Sequence, residues 1–177
     1  MPKKAILVVD IQNDFTGEKA KMPVDKSQAI QMIGNINLLL DKTSKTETEV
    51  IYIGNEYPKN DLFNIFRNFA AIERTVGAKP DPRLRVVSDI YFPKHRGNAF
   101  TNPALDAYLK AENISELFIC GLFAEACIYA TVKGALKNNY KVNVLTDCLA
   151  SKSDRKRDRM IHQYEKLGVR NIASTSL

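Results

Sequence analysis

The chain has 177 residues and a formal net charge of +6, with 45% hydrophobic and 26% charged residues. That length suits one ordinary domain, residues 1–177, with enough chain to bury a real core. No apolar run is long enough to span a membrane, and Met1-Pro2-Lys3-Lys4 leads straight into a short apolar stretch without the features of a signal peptide.

The three cysteines form no paired motif, which argues against a disulfide scaffold and suits a reducing cytoplasm. Neither of the two histidines lies near a cysteine in sequence, so a zinc site is not expected. The densest basic run, Lys152 to Arg159, is broken by Asp154 and Asp158. A solvated helix start explains it more simply than a nucleic-acid surface, and neither nucleic acid nor membrane is expected as a partner.

In chain order, Ile6-Leu7-Val8-Val9 reads as a first strand buried on both faces. Asp25, with Gln28 three residues on, predicts a capping box. In the helix behind it Ile30, Ile33, Asn37 and Leu40 recur at helical spacing, with Ala29 and Ile36 widening the stripe. A second strand covers residues 50–53. Residues 55–85 are irregular, with a short helix within 62–71; so long a stretch in a compact domain is usually functional or interfacial. A third strand is expected at 86–92, stopped by Pro93, and Asn102-Pro103 opens a helix through Lys110. A fourth strand (117–120), a helix (124–137), a fifth strand (141–145), a helix (154–167) closed by Gly168, and a sixth strand (169–173) follow. This alternation predicts an α/β fold, a parallel sheet with helices on both faces. No glycine-rich nucleotide fingerprint is present.

In such sheets ligands bind beyond the carboxyl ends of the strands. Three strand ends carry chemically useful groups: Asp10 after the first, Lys94 after the third, and Cys127 in the helical turn after the fourth. Singly, each has a structural reading: a helix cap or turn former, a solvated lysine, a small core residue. Together they make a coherent site. A helix N-terminus and the Lys94 ammonium favour a thiolate at Cys127. Asp10 can take the thiol proton and return it to a leaving amine. Backbone N–H groups of Phe123 and Cys127 can receive an oxyanion. Phe15, Phe100 and Phe123 are candidate pocket walls, although Phe100 equally suits anchoring the helix that follows it. Cys120 reads as core and Cys148 as partly exposed, at a pocket rim or an interface. Glu125, if turned toward Cys127, would oppose the thiolate.

The segments around these residues resemble a known family. Asp10-Ile11-Gln12-Asn13-Asp14-Phe15, Lys94-His95-Arg96-Gly97-Asn98-Ala99-Phe100 and Gly121-Leu122-Phe123-Ala124-Glu125-Ala126-Cys127 are similar, in order, to three motifs of the isochorismatase-like cysteine hydrolases. The resemblance implies a three-layer Rossmann-like fold with six parallel strands in the order 3-2-1-4-5-6. It implies a catalytic trio of Asp10, Lys94 and Cys127, a cis peptide between Leu122 and Phe123, a small-molecule substrate and a homo-oligomer, for which residues 55–85 could supply the interface. The nicotinamidase branch holds a metal with an aspartate and histidines after the second strand. Here Gly54-Asn55-Glu56-Tyr57-Pro58 is followed by no histidine before His95, so neither metal nor cofactor is expected. The expected activity is cleavage of a C–N bond in a small amide or ureide-like compound through a thioacyl-enzyme. The alternatives are vinyl-ether hydrolysis with Asp10 as the acid, and a non-catalytic binding or scaffold protein that keeps the fold.

Overall fold

The computed structural model describes residues 3–43 and 46–177; Met1 and Pro2, at the head of the N-terminal run, lie outside the described residues. Six strands form one parallel sheet: β1 (Lys3–Val9), β2 (Glu49–Asn55), β3 (Tyr91–Lys94), β4 (Ile114–Leu122), β5 (Lys141–Ala150) and β6 (Arg170–Ile172). Their order is β3-β2-β1-β4-β5-β6, as the resemblance implies.

The alternation of side chains along β1 explains the layers. Ile6 and Val8 join one apolar cluster, which is filled by Met32, Ile36 and Leu40 of helix α2 (Lys26–Thr43). Ala5, Leu7 and Val9 point the other way. There they meet helices α3 (Pro103–Ala111), α4 (Tyr129–Lys137) and α5 (Asp154–Lys166) through Leu105, Leu109, Val132 and Tyr164. A one-turn helix, α1 (Asn13–Thr16), leaves the end of β1. Both faces of the sheet are therefore covered, which accounts for the continuous apolar runs in its central strands.

The helix ends follow local chemistry. Asp25 accepts the Gln28 N–H at 3.1 Å and so caps α2. The Gln28 side chain does not close the capping box; its carbonyl accepts the Ser151 N–H and its amide donates to Asp154, tying α2 to the end of β5. Asn102 caps α3 through the Ala104 N–H, with Pro103 at the first position. At the end of α5, Gly168 adopts φ +75°, and the Val169 N–H reaches back to the Tyr164 carbonyl.

Four of the expected elements are corrected. The third strand is Tyr91–Lys94, not 86–92, and Pro93 lies inside it. The Tyr52 and Glu56 N–H groups bond to the carbonyls of Ile90 and Lys94, so Pro93 turns its nitrogen away from β2 to the open edge, where no donor is required. Val86 and Val87 are largely exposed; the Tyr52 hydroxyl, rather than a ladder, holds this stretch, donating to the Arg85 carbonyl and accepting the Val87 N–H. Residues 62–71 contain only a 3₁₀ turn at Leu62–Ile65. Residues 124–137 are not one α-helix: Ala124–Ile128 is a π-turn in which the Ile128 N–H reaches the Phe123 carbonyl, and α4 begins at Tyr129. Lastly, β5 runs on to Ala150, across a register irregularity that pairs Ile119 with Val144 but Gly121 with Leu149. Cys148 thereby lies within a strand, fully buried, and not at a rim.

Candidate active site

The carboxyl ends of β1, β2 and β3 and the π-turn after β4 converge on one buried point. Asp10 follows β1 with φ +59°, its N–H bonded to the Ile53 carbonyl at 2.8 Å. The sheet is drawn tight beside it: a Cβ on Gly121, which has φ +118°, would lie 2.0 Å from the Val9 carbonyl oxygen. Only glycine tolerates that backbone and that approach. Lys94 ends β3, and its side chain is fully buried.

The Lys94 Nζ donates to Asp10 Oδ2 at 2.8 Å and to Asn55 Oδ1 at 2.7 Å. The Asn55 Nδ2 donates to the same Asp10 Oδ2 at 2.8 Å and lies 3.8 Å from the Cys127 sulfur. Asp10, Lys94, Asn55 and Cys127 are all buried. The other Asp10 oxygen, Oδ1, is buried without a hydrogen-bond partner among the described residues. The structure thus brings Asp10, Lys94 and Cys127 together and adds Asn55, which sequence reasoning missed because an asparagine closing a strand reads as a turn former. Gln12 holds Asn55 in place: its amide nitrogen donates to the Asn55 and Ala78 carbonyls, and its amide oxygen accepts the Asn55 N–H.

The charges follow from burial. Removal from water raises the Asp10 pKa, against the opposing pull of Lys94. Burial is the largest influence and works against the Lys94 ammonium, but the Asp10 charge and hydrogen bond, with smaller contributions from Cys127 and Tyr57, together outweigh it and raise the lysine pKa. Burial, and then the Asp10 charge, push the Cys127 thiol up to about 12. The pull of Lys94 toward a thiolate is thus outweighed, and a desolvated sulfur beside a carboxylate keeps its proton until a base takes it.

Tyr57 is a second missed neighbour. It is buried, with a phenol pushed up to about 12, first by burial and then by Cys127. The Arg67 guanidinium lies 3.9 Å from its ring centroid. Phe15 and Phe123 meet edge to face at 5.6 Å, both buried. The Phe100 ring instead packs on Tyr140, as anchoring of the following helix requires. The Leu122–Phe123 peptide is cis. Glu125 accepts the Ser151 hydroxyl at 2.6 Å, and this contact occupies its carboxylate. His95 is exposed, with its Nδ1 against the Glu56 carbonyl. Among the described residues no group of three or more His, Cys, Asp or Glu side chains is placed to hold a metal ion, and no helix is long and apolar enough to cross a membrane.

A doubly covered parallel sheet with an acid, an ammonium and a thiol at its carboxyl edge defines the molecule as an α/β protein with a buried polar cluster at the strand ends. Residues 4–176 match the isochorismatase domain model, and the chain belongs to this hydrolase family. An isochorismatase-like hydrolase from Alkaliphilus metalliredigens superposes with a TM-score of 0.92 at 28% identity, covering 98% of this chain and 96% of that one. An uncharacterised isochorismatase family protein of Bacillus subtilis, YddQ, is 27% identical over 89% of this chain and 83% of its own length. The nicotinamidase of Escherichia coli is 26% identical, with 83% of each chain covered.

Proposed function

We propose that this hydrolase cleaves a C–N bond in a small amide or ureide-like substrate through a thioacyl intermediate on Cys127. The observation that carries the reading is the state of Asp10. One of its oxygens is fixed by Lys94 and Asn55, the other has no such fixed donor among the described residues, and the protonated Cys127 thiol pairs with the carboxylate. A desolvated carboxylate is a stronger base than one in water. Asp10 takes the thiol proton as the sulfur attacks the carbonyl carbon. The N–H groups of Phe123 and Cys127 receive the oxyanion. Asp10 then gives its proton to the leaving nitrogen as the C–N bond breaks. Water, losing a proton to Asp10, opens the thioester, and the sulfur regains its proton. Lys94 stays charged throughout and offsets the negative charge that moves between Asp10 and the sulfur. In this reading the Phe15 and Phe123 rings, packed edge to face, form the apolar side of the substrate's place. Similarity to a nicotinamidase supports an amide substrate.

The test is a panel of primary amides and ureides, read by ammonia release and by mass spectrometry of an acyl adduct on Cys127. Cys127→Ala should lose all turnover. Full activity in that variant would exclude the covalent route. One observation favours a second reading: the raised Asp10 pKa suits a carboxylic acid that protonates a vinyl ether, with the thiol as bystander. Turnover of vinyl ethers that survives Cys127 alkylation would select it.

A further inference from the structure

We propose that Asn55 is a positioning residue of this site, whose amide nitrogen is held in place by its neighbours to receive the Cys127 sulfur when it becomes a thiolate. The inference rests on the covalent reading above and adds a component to it.

The amide has no freedom to turn over. Its oxygen accepts the Lys94 ammonium at 2.7 Å, and Lys94 is a donor only. Its nitrogen faces Asp10 Oδ2 at 2.8 Å and the sulfur at 3.8 Å. A flipped amide would set nitrogen against ammonium and oxygen against carboxylate, losing both bonds. The backbone is fixed independently, since Gln12 grips both the Asn55 N–H and its carbonyl. The side chain is buried, so no water can take its place.

In the resting site Nδ2 serves Asp10. When Asp10 accepts the thiol proton, its charge disappears and negative charge appears on sulfur. The same fixed amide group then has a new anion within reach, and its donation shifts from oxygen toward sulfur without any side-chain movement. The groups that face Cys127 from the packed elements are Asp10 from β1, Lys94 from β3 and Tyr57 from the segment after β2; Glu125, two residues before it, is engaged by Ser151. Of these, Asp10 opposes the thiolate, and Lys94 favours it through its charge while its hydrogen bonds go to Asp10 and Asn55. Asn55 is the neutral donor whose nitrogen lies within hydrogen-bonding reach of the sulfur, at 3.8 Å.

The experiment needs no substrate. Iodoacetamide labelling of Cys127 in the full chain is followed from pH 7 to 10 by peptide mass spectrometry, in the parent, Asn55→Ala and Asn55→Leu. The leucine variant keeps the branch at Cγ and the number of heavy atoms and removes every donor. Protection of Cys120 and Cys148, both fully buried, reports that a variant is folded. The Cys127 rate should fall about tenfold at each pH in either folded variant, as loss of one hydrogen bond to a charged group requires. Lys94→Met serves as the control for the site itself. A parental rate in both Asn55 variants, with a slower Lys94→Met, would overturn the proposal and leave the trio intact. Rates unchanged in all three would overturn both.

Discussion

Lys94 and Asp10 are each other's reason for being charged in the interior. Their side chains are fully buried and meet at 2.8 Å. Breaking such a pair from one side leaves a charge without a partner and costs about 3–5 kcal/mol, whereas replacing both members with neutral groups is far cheaper. Urea denaturation of Lys94→Met should show that loss, and Asp10→Asn/Lys94→Met should recover at least half of it. The single variant should also depend on pH in a defined direction. Without Lys94, burial raises the Asp10 pKa further above its unfolded value. A carboxyl so raised favours the fold where it is protonated and loses that advantage as pH rises through its folded pKa. Lys94→Met should therefore be closer to the parent at pH 5 than at pH 8; equal deficits would show that Asp10 is not the group left exposed. The trio was legible in the sequence because parallel strands deliver their ends to one edge, so three unremarkable residues become a set. Asn55 and Tyr57 were not, because their role depends on side chains that arrive from other strand ends. The balance of influences on the thiol was not legible for the same reason: helix terminus and lysine are visible in sequence, but the depth of burial and the nearness of Asp10 are not.

Between the strands, the irregular segment after β2 is held to the carboxyl edge of the sheet by a few buried polar contacts. Asp81 is the main one. Its carboxylate accepts the Thr16 hydroxyl at 2.6 Å and the Arg83 guanidinium at 2.7 and 2.9 Å, while the Asp81 N–H bonds to the Ile11 carbonyl. Burial works against its charge, but the bonds from Arg83 and Thr16 prevail and bring its pKa down to about 2. A depressed carboxyl stabilises the fold above its unfolded pKa, and the contribution disappears as pH falls through the folded value. With Arg83 nearly half exposed, the effect at neutral pH is about 1–2 kcal/mol after screening. Asp81→Asn should lower the melting temperature at pH 7 and converge on the parent between pH 4 and pH 2. A constant difference across that range would mean that shape, not charge, holds the segment. None of this was readable beforehand, since the sequence around residues 80–83 shows only two prolines flanking an acid. The β3 boundary failed on related grounds. Two valines suggested a strand, but the ladder follows the residues that face β2, and an edge position makes Pro93 harmless. The central strands were found because burial on both faces writes itself as an unbroken apolar run. The helix caps at Asp25, Asn102 and Gly168 were found because they depend only on their own neighbours.

For the molecule as a whole, the same segment presents a surface that water does not favour. Leu62, Phe63, Ile65, Phe66 and Phe69 are 83%, 63%, 68%, 85% and 51% exposed. At about 150–200 Å² for each large apolar side chain, the exposed part comes to roughly 600 Å², near the upper limit for a monomer and close to one partner's share of a standard interface. We infer that a second copy of this chain covers it. Its polar surroundings suit self-pairing, because Arg67 and Asp61 neutralise each other at 2.7 Å and present no net like charge to a symmetric partner. The patch is also tied to the site: Arg67 stacks on Tyr57, and the Phe69 carbonyl accepts the Lys21 ammonium. Sedimentation of the parent should give a mass at or above twice 19.9 kDa. Phe63→Glu/Phe66→Glu should sediment as a monomer with its strands intact by circular dichroism, since neither ring belongs to the buried core. A parent that remains monomeric at high concentration would assign the patch to a different partner. A variant that remains oligomeric would place the interface elsewhere. If the monomeric variant also labels faster at Cys127 than the parent, the second copy closes the site through Tyr57, and assembly and catalysis share one surface.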